Sequence, residues 1–169
     1  MFENSTAFFQ QKMKENRLEQ IRKDLSYGLE MESLVCPILE EYFSDNLTKT
    51  TQYHSSDWVG DTGTFYELKS RKDITEDTYS TTIFPVYKTL IGENSPLILV
   101  FHFSRNNHTY FIKYDKERFR HYQTKWVEAQ RKSLTAVLHY EIPISDMIFI
   151  MQKATSKSLL YDRADSYAD

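Results

Sequence analysis

The chain has 169 residues, 40% hydrophobic and 15% aromatic, with 21 basic against 24 acidic side chains and a single cysteine, Cys36. Length and apolar content suit one domain around one core, and one cysteine excludes a disulfide framework or a cysteine-rich zinc site. A formal charge of −3 excludes a protein that coats nucleic acid through a global positive field, though not one with a local basic surface. No apolar run approaches the roughly 18 residues of a membrane span, and the start mixes Glu3, Lys12, Lys14 and Glu15. The expectation is an intracellular chain, cytoplasmic or nuclear, with no secretion signal and no membrane partner.

In chain order, residues 1–25 space Phe8, Phe9, Met13, Leu18, Ile21 and Leu25 among Gln, Lys, Glu and Arg. This predicts a thinly amphipathic helix, a separate N-terminal extension suited to packing or to an arm that meets DNA or a partner helix. Ser26 is the expected cap of a second helix, which opens the main domain over 26–153. Tyr27, Met31, Leu34, Val35, Ile38, Leu39 and Tyr42 form its apolar face. Glu32 lies at the border of that face, whereas Glu30 and Glu40 point away. Pro37 predicts a kink. Leu47 to His54 reads as a strand.

Asp57 to Arg71 carries the chemistry. Asp57-Trp58-Val59 and Thr64 to Lys69 read as paired strands around Gly60-Asp61-Thr62-Gly63. With Asp61-Thr62-Gly63 as the loop and Gly63 left-handed, Val59 faces Phe65 and Asp57 faces Glu67, with Lys69 further along the same face. A two-residue turn would instead set Asp57 against Tyr66. Two opposed carboxylates repel unless a cation lies between them. Mg²⁺, or Mn²⁺ in its place, fits because it takes oxygen ligands and keeps waters for substrate. A lysine on that face can position an attacking water and offset charge on a phosphoryl oxygen. The alternative is a surface hairpin with a solvated charged face. Asp61 serves the turn, and His54 reads as a structural or substrate-contacting residue rather than a ligand.

Lys69, Arg71 and Lys72 together suit phosphate. Thr78 to Ile91 contains Pro85, which predicts a helix start or a break there. Leu97 to Phe103 is the most apolar run and reads as a strand buried on both faces. A turn over Arg105 to His108 leads to a strand over Thr109 to Tyr114. Asp115 is the expected cap of a helix running through Phe119, Tyr122 and Trp126, whose basic and aromatic residues suit sheet packing first and nucleic acid second. Ala136 to Ile142 is a further strand, Ser145 to Met151 a short apolar element, and 154–169 a polar tail.

The combination of Gly28-x-x-x-Glu32 on a helix, then Asp57 and Glu67-Leu68-Lys69 on a hairpin, resembles the PD-(D/E)XK nuclease superfamily, archaeal Holliday-junction resolvases included. The likeness covers Tyr27 to Phe103, and Ser56 stands where the nominal proline would be. It implies an α/β fold with a restriction-endonuclease-like core: a central mixed sheet of four to five strands flanked by helices, here with an extra N-terminal helix. It implies a metal-dependent nuclease, a DNA endonuclease first, that leaves a 5′-phosphate. Asp57, Glu67 and the Leu68 carbonyl would hold Mg²⁺ or Mn²⁺, Glu32 would complete the ligand set or hold a second ion, and Lys69 would position the water. Arg71, Lys72, Thr82 and Lys88 are the substrate-contact candidates, with nucleic acid as partner and a homodimer left open. The competing expectations are a non-cleaving nucleic-acid or protein-binding module, or a nuclease subunit, on the same fold.

Overall fold

The computed structural model describes residues 3–128 and 136–150, residues 3–10 by backbone alone. The polar tail over 154–169 and Met151 lie outside the described residues. Helix α1 spans Glu3–Phe43. The strands are β1 (Leu47–Lys49), β2 (Trp58–Gly60), β3 (Phe65–Arg71), β4 (Thr81–Pro85), β5 (Leu97–Phe103), β6 (His108–Lys113), β7 (Thr124–Glu128), β8 (Ala136–Pro143) and β9 (Ile148–Ile150). Helix α2 is Lys116–Phe119, and a 3₁₀ helix occupies Val86–Glu93. No helix among the described residues is long and apolar enough to cross a membrane.

A single 41-residue helix replaces the two expected. Nothing near Ser26 ends a helix, and pairs one turn apart support the helix right up to the expected junction: Lys23 with Glu19 at 2.7 Å and Gln20 with Asp24 at 2.8 Å. Residues 11–20 are exposed throughout, so along the described side chains it is the second half that is held by packing. There Met31, Val35 and Leu39 are buried at four-residue spacing, a narrower stripe than the sequence suggests, because Leu34 and Tyr42 stay exposed. Pro37 lies inside the helix without ending it.

The strands form a six-stranded mixed sheet, ordered β1-β2-β3-β5-β6-β9, and a three-stranded sheet, β4-β8-β7. Within the larger sheet β3 and β5 are parallel and the other pairs antiparallel. A parallel pair needs a crossover, here β4 and the 3₁₀ helix. One face of the sheet packs under α1, where Tyr66, Leu68, Ile98 and Val100 meet Met31, Val35 and Leu39. The other face packs on the smaller sheet and α2 through Leu99, Phe101, Phe84, Ile142 and Phe119. β5 is therefore buried along its whole length, as its unbroken apolar sequence predicts.

Local corrections follow from the same packing. The strand expected over Leu47 to His54 stops at Lys49, and the chain turns, His54 N–H donating to the Thr51 carbonyl. Asp115 caps α2 as expected, accepting from Arg118 N–H at 2.7 Å, but the helix ends at Phe119. Trp126 instead lies in β7, a β-branched and aromatic run that pairs with β8.

The hairpin between β2 and β3 has the expected loop. Gly63 is left-handed (φ 79°), Gly60 N–H bonds the Thr64 carbonyl at 2.8 Å, and Val59 faces Phe65. Buried Asp45 fastens it, accepting from Thr62 N–H (3.1 Å), Thr62 Oγ1 (2.7 Å) and Tyr66 Oη (3.0 Å). A Cβ on Gly60 would overlap the Asp45 carboxylate. Gly60→Ala should therefore displace these bonds and cost about 1–3 kcal/mol in denaturant unfolding. An unchanged midpoint would contradict this account of the hairpin.

Candidate functional site

β2 pairs with β3 only at Phe65 and Tyr66. Asp57 N–H donates to the Tyr66 carbonyl, the residue already facing Trp58, so two residues oppose one as in a β-bulge. The expected Asp57–Glu67 register pair is thus replaced by Asp57 standing against Tyr66. The bulge leaves the β3 edge beyond Tyr66 without a strand partner. Asp57 Oδ2 takes up the freed Leu68 N–H at 2.7 Å. By strand alternation the Leu68 carbonyl faces that same edge, since Phe65 spends its N–H toward the β5 side on Pro96.

That edge and α1 enclose a cleft of about 450 Å³ lined by Glu32, Asp57, Glu67, Leu68, Lys69, Lys72 and Lys88, among others. The structure therefore gathers seven of the nine site residues expected from sequence. Arg71 and Thr82 sit elsewhere: Arg71 Nε donates to Thr82 Oγ1 at 2.8 Å, and both line a different cavity. Thr82 belongs to β4, ahead of the 3₁₀ helix that starts after Pro85.

Glu67 is the deepest charge, 1% exposed. Its Oε1 accepts from Lys69 Nζ at 2.7 Å and also from Lys88 Nζ, while its Oε2 is buried without a hydrogen bond. Burial, then the neighbouring Glu67 charge, push the Asp57 carboxyl up to about 6. Burial pulls the Lys69 ammonium down, with Lys88 adding to the effect and Glu67 opposing it. Burial acts on Lys88 in the same direction, but the Glu67 charge and hydrogen bond outweigh it and raise its pKa. Lys88 is thus a direct partner of the central acid, and a separation of 21 positions hid that from the sequence. Lys72 lies over the Tyr27 ring at 5.5 Å.

Glu32 lies on the cleft wall but pairs with Lys49 at 2.5 Å, a contact without hydrogen-bond alignment that leaves its Oε2 buried and unbonded. Among the described residues no group of three or more His, Cys, Asp or Glu is gathered closely enough to hold a metal by itself. The set available for Mg²⁺ is therefore Asp57, Glu67 Oε2 and the Leu68 carbonyl with waters, which matches a hard ion that uses one or two carboxylates. Four buried side-chain polar atoms lack a hydrogen bond among the described residues; of the three in this cleft, Glu32 Oε2 has the Lys49 ammonium beside it, whereas Tyr27 Oη and Glu67 Oε2 have no such partner. Such atoms are costly unless something binds them. His54 is not one of the donors: it bonds Ser56 Oγ at 2.8 Å and stacks on Phe65. Asp61 accepts from Asn46 in the turn, as expected.

Neither a family model nor a curated protein matches the chain. The site thus stands on its geometry.

Because the Asp57 pKa is raised in the folded state, folding favours its protonated form. Its ionisation costs stability as pH rises from the ordinary carboxylate range, about 4, through about 6. Asp57→Asn keeps an acceptor for Leu68 N–H without the charge. In metal-free buffer it should melt at a higher temperature than the parent at pH 8, with the gap closing toward pH 4. A gap independent of pH would show that the charge is not the cause.

Proposed function

We propose that this chain is a divalent-metal-dependent nuclease on a restriction-endonuclease-like core, hydrolysing phosphodiester bonds of nucleic acid, DNA first. The observation that carries the reading is the buried, unbonded Oε2 of Glu67 beside the Asp57 carboxylate, in a cleft that also holds Lys69, Lys72 and Lys88. The element order supports it: a helix, a three-strand meander bearing Asp57 and Glu67-Leu68-Lys69, a crossover made of β4 and a 3₁₀ helix, then a strand parallel to β3. Magnesium or manganese, when bound by Asp57, Glu67 and the Leu68 carbonyl, supplies Lewis-acid activation of water and phosphate.

The chain's own residues do the rest. Lys69 is held against Glu67, and burial moves its pKa toward the range where it can exchange a proton with an attacking water. Lys88 balances the charge of Glu67 and, with Lys69, offers donors to phosphoryl oxygens as negative charge builds there. Lys72 at the cleft rim attracts the backbone of the strand. One observation favours a non-cleaving binding module: two ammonium groups already neutralise Glu67 Oε1. The unbonded Oε2 weighs against it, because two lysines leave it unserved.

Labelled linear duplex, single-stranded DNA, a four-way junction and RNA, each incubated with Mg²⁺, Mn²⁺ or EDTA, test the reading. Metal-dependent cutting of at least one substrate is expected. Lys69→Ala should slow it by on the order of 10²-fold or more, and Glu67→Ala should abolish it. Cutting by Glu67→Ala at the parent rate sinks the assignment, and binding without cutting establishes the recognition module.

A further inference from the structure

A second cavity, of about 290 Å³, opens where the free edge of β4 meets the end of β3. Ile74, Ile83, Phe103 and Ile144 give it apolar walls, and Tyr79, 65% exposed, stands at it. Its one cation without an acidic partner is Arg71. That guanidinium donates to Thr82 Oγ1 at 2.8 Å and to the Ile83 carbonyl, both neutral, and lies 5.8 Å from the Phe101 ring centroid. No carboxylate among the described residues pairs with it. Lys125 is paired with Glu141 at 2.5 Å, and the Glu76 carboxylate at the far wall is held by hydrogen bonds to Asn106, His108 and Tyr110.

A partly buried guanidinium that meets only neutral acceptors keeps donors for an anion, since it carries five N–H groups. Burial lowers the Arg71 pKa to about 10, the cost of a charge that lacks a counter-ion. Apolar walls with an aromatic ring beside such a cation match a flat, unsaturated ring attached to a phosphate. The position matters as well. Arg71 lies two residues beyond Lys69 on β3, about 7 Å along the strand, which is on the order of one or two nucleotide steps.

We propose that this cavity receives an unpaired nucleobase of the strand whose backbone crosses β3, with Tyr79 stacking on the base and Arg71 holding the adjoining phosphate. The inference deepens the nuclease reading and rests on it for the identity of the ligand. It makes the preferred substrate a single strand, or a duplex with an extrahelical nucleotide, because a paired base is not available to the cavity.

The test is equilibrium binding in EDTA, so that cleavage plays no part. Fluorescence anisotropy compares single-stranded oligothymidylate with an abasic strand of equal length and equal phosphate count. The parent protein should bind the abasic strand about tenfold or more weakly, in line with the stacking contribution of a base. Tyr79→Ala, at an exposed position that leaves the fold intact, should erase that difference. Arg71→Gln should weaken both strands alike. Equal affinity of the parent for the two strands, a difference that survives Tyr79→Ala, or no binding of either strand overturns the proposal. Base-dependent binding in a protein that cuts nothing would remove the nuclease reading while leaving this site in place.

Discussion

Burying the Glu67 carboxylate among apolar strands is the constraint to which the surrounding structure responds. A charge at that depth costs several kcal/mol unless it is paired and hydrogen-bonded. Lys69 and Lys88 converge on one of its oxygens, from its own strand and from the 3₁₀ helix of the crossover. The crossover is thereby tied to β3 at the point where β3 loses its neighbour β2. The second oxygen has no such answer within the chain. An apolar residue would pack there more cheaply, so a half-answered carboxylate makes sense as a group kept ready for a ligand.

The second acid follows from the first. The bulge at Asp57 turns β2 away from β3 and frees the Leu68 N–H, and the Asp57 side chain replaces the missing strand by accepting it. The same residue thus repairs the ladder and delivers a carboxylate to the cleft. Glu67 and burial raise its pKa, so the two acids resist sharing their negative charge without a cation. On the outer side of the loop, Asp45 and Gly60 lock the turn and fix where the bulge falls. Stability of the hairpin and geometry of the site are one problem.

What the sequence made legible were local rules and strong patterns. The loop with left-handed Gly63, the fully buried β5 and the Asp115 cap follow from turn chemistry and hydrophobic runs; Glu32, Asp57, Glu67 and Lys69 do share one cleft, but Asp57 reaches it through a bulge and not through the expected pairing with Glu67. The failures came where partners distant in sequence decide. The continuity of α1 through Ser26 depends on the absence of any stop signal, whereas a serine alone looks like a start. Trp126 joins a strand because β8 offers it an edge. Lys49 on Glu32 and Lys88 on Glu67 are pairings between separate segments that no spacing encodes. The bulge is a two-against-one pairing, and alternation alone predicts one against one. Arg71 groups with Lys69 and Lys72 in the sequence as a phosphate contact, yet β4 draws its side chain to the other cavity.

The central claim is that Glu67 and Asp57 jointly hold a divalent cation. Manganese titration followed by electron paramagnetic resonance reads that directly, because the signal of free Mn²⁺ falls as the ion binds. The account predicts that the parent protein takes up Mn²⁺, that Mg²⁺ displaces it, and that Glu67→Gln and Asp57→Asn each weaken uptake while Glu32→Gln changes it less. Uptake that survives in both Glu67→Gln and Asp57→Asn, or a parent protein that leaves the Mn²⁺ signal unchanged, would contradict it.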